Sequence, residues 1–138
     1  MSDSLFSLDG RVVLVTGAGR GLGFAIAHAV AMAGAHVVVN GRDAGRATAA
    51  AERISAEGGK ASTAIFDIAD DGAAARAIAA IGQRHGRLDG LVNNVGARNR
   101  KPLFDFTLEE VRRLLDIDLV AGFKEAAAAI SGDLGRSP

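Results

Sequence analysis

The sequence predicts an α/β fold, a doubly wound parallel sheet, in a single domain over residues 1–138. Three observations predict it. Short β-branched apolar runs alternate with longer stretches of helical character. The runs are apolar almost without interruption, as in strands buried on both faces. Several of them end in glycine, where a tight strand-to-helix turn needs it. Units of this kind close by right-handed crossovers, which sets the strands parallel with helices on both faces.

The elements follow in order. "RVVLVT" (Arg11–Thr16) is a first strand. "LGFAIAHAVAMAGA" (Leu22–Ala35) is apolar nearly all round and reads as a buried helix, with Gly34 at its C-terminal end. "HVVVNG" (His36–Gly41) is the second strand. Arg42–Gly59 is a helix with a charged face, stopped by two glycines. "ASTAIFD" (Ala61–Asp67) is the third strand. Asp70–Gly86 is a third helix, with acids at its start and Arg84 and His85 at its end, where the helix dipole favours each. Leu88–Asn93 is a fourth strand. Thr107 and Glu110 form a capping box that opens a helix from about Leu108 to about Ile130, with a break near Gly122. The expected strand order is 3-2-1-4.

Composition removes several function classes. The 138 residues suffice for one domain with a core. Sixteen basic residues balance sixteen acidic ones, which argues against a nucleic-acid binder or a polybasic membrane surface. There is no cysteine, so neither a disulfide framework nor thiolate chemistry is present. The start "MSDSLFSLDG" lacks a signal-peptide pattern, and no apolar run approaches spanning length, so a cytoplasmic protein is expected. His28, His36 and His85 are scattered, which argues against metal chemistry; His28 reads as helix packing and His85 as a helix-end cation.

The stretch "VTGAGRGLG" (Val15–Gly23) is the chemical focus. Its frame is Gly17-x-x-x-Gly21-x-Gly23, with Gly19 as a fourth glycine. Glycines at a strand–turn–helix junction permit positive φ and close approach of the backbone to a phosphate. The helix start then offers N–H groups and partial positive charge to a pyrophosphate. The frame fits neither G-x-G-x-x-G nor a P-loop, and a tight junction without ligand has the same look. Arg42 stands at the end of the second strand, 19 residues after Gly23, near where a dinucleotide fold reads the adenosine ribose. An acid at that tip would bind the 2′-hydroxyl; here "NGR" supplies none, and Asp43 reads as a helix cap. Arg20 and Arg42 together suit a 2′-phosphate, hence NADP(H) over NAD(H), against the alternative of two solvated arginines.

"TGAGRGLG" (Thr16–Gly23), Asp67 followed by Ile68, and "NNVG" (Asn93–Gly96) occur in order, each after a strand. The ordered set resembles the short-chain dehydrogenase/reductase family, over roughly residues 5–124. "LFSLDGRVVLVTG" and "NVGARNRKPL" are similar to its gluconate 5-dehydrogenase and 3-oxoacyl-carrier-protein reductase branch. The resemblance implies a Rossmann-type fold in which Gly17, Gly21 and Gly23 line the pyrophosphate and Leu22 gives a backbone contact. Asp67 and Ile68 would sit at the adenine, Asn93 would brace the fourth strand against the glycine turn, and Gly96 would let the chain pass the cofactor. Taken alone, Asp67 could instead cap the third helix region, and the asparagines could simply end a strand.

The family's chemistry is hydride transfer between nicotinamide and a carbonyl or alcohol. It uses a tyrosine as general acid/base, a lysine four residues on, a serine and a relay asparagine. This sequence has no tyrosine, and Lys60, Lys101 and Lys124 lie in no Tyr-x-x-x-Lys frame. Asp118 stands where the relay asparagine would fall. The resemblance therefore implies the cofactor-binding half of the fold, truncated before the fifth strand and lacking the catalytic half. "ISGDLGRSP" is similar to the segment after the family's catalytic serine, which would make Ser131 a loop residue; a plain polar tail is the alternative. Three functions compete: an oxidoreductase present as its cofactor half, a non-catalytic nucleotide-binding or regulatory protein, and another Rossmann-type protein such as a methyltransferase, which the missing acid at the second strand tip disfavours. An edge left by the fourth strand implies a homo-oligomer or a complementing chain. Arg98, Arg100 and Lys101 form a basic cluster suited to an anionic small-molecule substrate, or simply a solvated loop.

Overall fold

The computed structural model describes residues 5–70, 72–94, 105 and 107–115. The elements are β1 (Val12–Val15), α1 (Gly21–Met32), β2 (His36–Gly41), α2 (Ala44–Ala56), β3 (Lys60–Ile65), α3 (Ala73–His85), β4 (Gly90–Val92) and α4 (Leu108–Leu115). The four strands form one parallel sheet in the order β3-β2-β1-β4, as expected from the sequence. Val12 of β1 stands opposite His36 of β2, and Leu14 opposite both Val38 of β2 and Leu91 of β4.

Side chains alternate across each strand, and here both faces are covered. Val13 and Val15 of β1, with Val37 and Val39 of β2, pack on Ala27 and Ala31 of α1 and on Ala47 and Ile54 of α2. Val12, Leu14 and Val38 point the other way, onto Ile78 and Ile81 of α3. Leu14, Val15, Val37 and Val39 are wholly buried, each stabilising the fold by about 1.5–3 kcal/mol relative to exposure.

The helices refine the sequence reading. α1 was expected to be buried all round; only the line Gly23, Ala27 and Ala31 is buried, and Leu22 is exposed. Those residues recur every four positions and are small, so the helix lies close to the sheet along one stripe. α2 is capped as expected: the Asp43 carboxylate accepts the Arg46 N–H at 3.1 Å. α3 has no acid in its first turn and begins after Gly72, in the left-handed region. Asp70 is instead spent in the preceding turn, its N–H donating to the Asp67 carbonyl at 2.9 Å. β3 ends before Phe66, so Asp67 lies in the loop beyond the strand. Thr107 caps α4 as expected: its Oγ1 accepts the Glu110 N–H at 3.1 Å and donates to Glu110 Oε1 at 3.3 Å. The expected continuation of that helix to Ile130 and its break at Gly122 lie outside the described residues.

At the amino ends of the strands, two side-chain groups tie the sheet. Asp89 accepts the Val12 N–H at 2.8 Å and both a 2.7 Å and a 2.8 Å bond from Arg87. The Arg87 hydrogen bonds hold the Asp89 carboxyl below its ordinary range. His36 Nε2 lies 2.8 Å from Ser62 Oγ, and its ring packs at a tilt against His85 with centroids 4.4 Å apart. Burial, followed by Arg84, lowers the His85 pKa. His85 lies in the last turn of α3, the helix-end position expected from the sequence, with its ring beside that of His36. Among the described residues, no helix is long and apolar enough to cross a membrane, and no three His, Asp or Glu converge as a metal ligand set.

Candidate functional site

The carboxyl ends of parallel strands all point one way, and the strand order changes direction between β1 and β4. Ligands of open α/β sheets enter at such a switch point. A cleft of about 840 Å³ opens at the carboxyl ends of the strands, between the glycine turn after β1, the tip of β2 and the loop after β3, and reaches Asn94 after β4.

The turn is built from β1 outward. Thr16 is fully buried; its hydroxyl donates to the Val92 carbonyl at 3.3 Å and accepts the Asn94 N–H at 3.0 Å. Gly17 and Gly21 take φ of 60° and 59°, the left-handed region where a side chain is strained. Gly23 is needed for a different reason. A methyl there would run into the Gly17 carbonyl oxygen and the Asn94 amide. Arg20 is the N-cap of α1, extended and without a side-chain capping bond. The start of α1 thus opens toward the cleft with its N–H groups uncapped by a side chain, the arrangement that favours an anion.

One buried side chain fixes the geometry from below. Asn40, in β2, is 2 % exposed. Its Oδ1 accepts the Gly17 N–H at 3.1 Å, and its Nδ2 donates to the carbonyls of Ala64 and Phe66, each at 3.1 Å. A single amide therefore ties the glycine turn to the exit of β3, using both its acceptor and its donors.

The rim carries the charge. Arg20, Arg42 and Arg46 line the cleft, as do Asp43 and Asp67. Arg42 lies 4.0 Å from Asp67 and both are largely exposed. The other Asp67 oxygen accepts the Ala69 N–H at 2.9 Å, which fixes the carboxylate at the loop after β3. Ile68 and Phe66 supply apolar wall beside it.

The cleft gathers six of the residues singled out from the sequence: Gly17, Arg20, Gly21, Arg42, Asp67 and Ile68. Gly23 sits beneath the turn rather than on the cleft surface. Leu22 is not among the lining residues, and its side chain is 71 % exposed. Asn94, the neighbour of Asn93, braces the glycine turn: its Nδ2 donates to the Gly17 carbonyl at 3.3 Å, and Asn94 lines the cleft. Both asparagines follow the end of β4, Asn93 exposed and Asn94 half-buried. Gly96, Asp118 and the cluster Arg98, Arg100 and Lys101 lie outside the described residues. Sequence reasoning missed Asn40 and Arg46. Asn40 left a signal, a polar amide inside an otherwise apolar strand; Arg46 looked like one more charge on an exposed helix face.

Residues 11–134 match the short chain dehydrogenase family. The chain is 44 % identical over 119 residues to a gluconate 5-dehydrogenase of Gluconobacter oxydans, covering 86 % of this chain and 46 % of that protein. It is 33 % identical over 121 residues to a 5-keto-D-gluconate 5-reductase of Escherichia coli, covering 88 % and 48 %. The crystal structure of a gluconate 5-dehydrogenase from Burkholderia cenocepacia, in complex with NADP and tartrate, superposes with a TM-score of 0.87 at 38 % identity, over 95 % of this chain and 51 % of that one. The chain thus spans about half the length of the relatives it matches. With the fold, the glycine turn and these likenesses in agreement, the chain belongs to the short-chain dehydrogenase family.

Proposed function

We propose that this chain is the NADP(H)-holding part of an oxidoreductase that transfers hydride between a nicotinamide and a small carbonyl or alcohol substrate. The observation that carries the reading is the convergence of Arg20 and Arg42 on the cleft beside the glycine turn, with no acid at the tip of β2. The turn fits a pyrophosphate: its glycines leave the backbone bare, and a methyl at Gly23 would break it. Gly17 and Gly21 would hold the pyrophosphate, Arg20 and Arg42 the 2′-phosphate, and Asp67 the adenine amino group, with Ile68 against the ring. Leu22, Gly23, Asn93 and Gly96 complete the set carried over from the family. Bound NADP(H) would donate or accept the hydride. The Burkholderia relative, described as a complex with NADP, supports the choice of cofactor, and the gluconate-acting relatives suit a sugar acid as substrate.

The proton needs a separate source. No tyrosine occurs among the 138 residues, and Asp118 replaces the relay asparagine, offering an acceptor without the amide donor. We therefore expect this chain to bind cofactor without turning over, unless a homo-oligomer or complementing chain adds the missing groups. The lack of tyrosine equally favours a second reading, a non-catalytic nucleotide-binding or regulatory protein of the same family.

Titration with NADPH and NADH, followed by an assay of carbonyl reduction, tests the proposal. Tighter NADPH binding without turnover is the expected result, and Arg42→Asp should shift the preference toward NADH. Equal affinity for the two cofactors would remove the phosphate role of Arg20 and Arg42, and turnover by the pure chain would remove the need for tyrosine. Restoration of turnover by an added catalytic half separates the enzyme reading from the regulatory one.

A further inference from the structure

We infer that Arg46 is a third cation for the 2′-phosphate and sets the NADP(H) preference together with Arg20 and Arg42; this rests on the cofactor reading above. Arg46 sits in the first turn of α2, one turn beyond the β2 tip that carries Arg42. It lines the same cleft. Its root touches the glycine turn from the other side: a Cβ placed on Gly19 would stand 3.4 Å from the Arg46 Cβ and 3.7 Å from its carbonyl carbon. Three different segments thus bring one arginine each to one rim: the turn after β1, the tip of β2 and the start of α2.

Charge balance shows why the third arginine matters. Asp43 and Asp67 line the cleft with the arginines. Two arginines would only match these two carboxylates, and Asp67 already stands 4.0 Å from Arg42. Arg46 tips the rim to a net positive charge, which a phosphate monoester of about −1.5 to −2 requires. Its own tie to Asp43 is loose, with Nε 4.0 Å from the nearer carboxylate oxygen. The same Asp43 accepts the Arg46 N–H at 3.1 Å, so the cap that starts α2 also fixes where this side chain begins. The guanidinium can turn to a phosphate without dismantling the helix start.

The test is a binding titration of the full chain and its Arg46→Gln variant with NADPH and NADH at low and high ionic strength. Arg46 is 59 % exposed in its side chain, and circular dichroism checks that the variant keeps its fold. The variant should lose about 5–10-fold in NADPH affinity and less than about twofold in NADH affinity, with the loss shrinking in high salt. Arg46→Lys should recover part of the loss, because it restores the charge without the fork. If the unaltered chain prefers NADPH and Arg46→Gln leaves the ratio intact, the role of Arg46 is overturned while the cofactor reading stands. An equal loss for both cofactors also overturns it. If the unaltered chain shows no preference, the cofactor reading fails and this inference falls with it.

Discussion

Asn40 ties together two of the segments that form the cleft. Its amide is satisfied on both ends, by a donor from the glycine turn and by two carbonyls at the end of β3. Satisfied buried amides add modestly to stability; a mismatched group in the same place costs much more. Asn40→Asp keeps the shape and the acceptor for Gly17 but turns a carboxylate oxygen toward the Ala64 and Phe66 carbonyls. We expect a loss of about 2–4 kcal/mol, read as a lower urea midpoint, together with weaker nucleotide binding. An unchanged midpoint would show that the amide is dispensable. Arg20 and Arg42 were legible in the sequence because their positions relative to the glycines carry meaning by themselves. Asn40 was visible only as a polar residue in an apolar strand; which backbone groups its amide would meet, the Gly17 N–H and the Ala64 and Phe66 carbonyls, depends on atomic register that strand order alone does not give.

At the level of elements, the packing of α3 against the amino end of β2 makes the fold sensitive to acid. Burial first, then the charges of His85, Arg84 and Lys60, lower the His36 pKa below its ordinary value of 6.5, and burial lowers that of His85. Between the lowered folded values and 6.5, the unfolded chain binds more protons, so stability rises with pH across that window and falls as acid is added. The urea midpoint should drop between pH 7.5 and 5.5, and His36→Gln should flatten the dependence; a midpoint independent of pH in this range would contradict the pairing. The strands and the first three helices were readable from periodicity, since two covered faces leave continuous apolar runs. The errors were at edges. α1 looked apolar all round because its sequence is alanine-rich, while only the stripe Gly23–Ala27–Ala31 meets the sheet. α3 was started too early because Asp70 resembles a cap, whereas the Asp67 carbonyl draws it into a turn.

For the whole molecule, the described sheet has two edges, β3 and β4. β4 is short, with Leu91 and Val92 only half-buried, and such an edge offers unpaired backbone groups to another strand. Sedimentation of the purified chain should show species heavier than its 14.1 kDa, and a stable dilute monomer with cooperative unfolding would contradict this. The architecture and the strand order were legible from the alternation of elements. The molecule's durability traces back to Asn40. It is followed by Gly41, and an asparagine before glycine is the sequence most prone to spontaneous deamidation, through attack of the glycine nitrogen on the side-chain amide. In the folded chain that amide is buried and held by three hydrogen bonds. Each opening of β2 exposes it to a slow chemical clock: ammonia leaves, a succinimide forms, and water opens it to isoaspartate or aspartate, either of which lacks the amide donor that the Ala64 and Phe66 carbonyls accept. Whatever keeps the sheet closed, bound nucleotide included, then also slows the ageing of the protein.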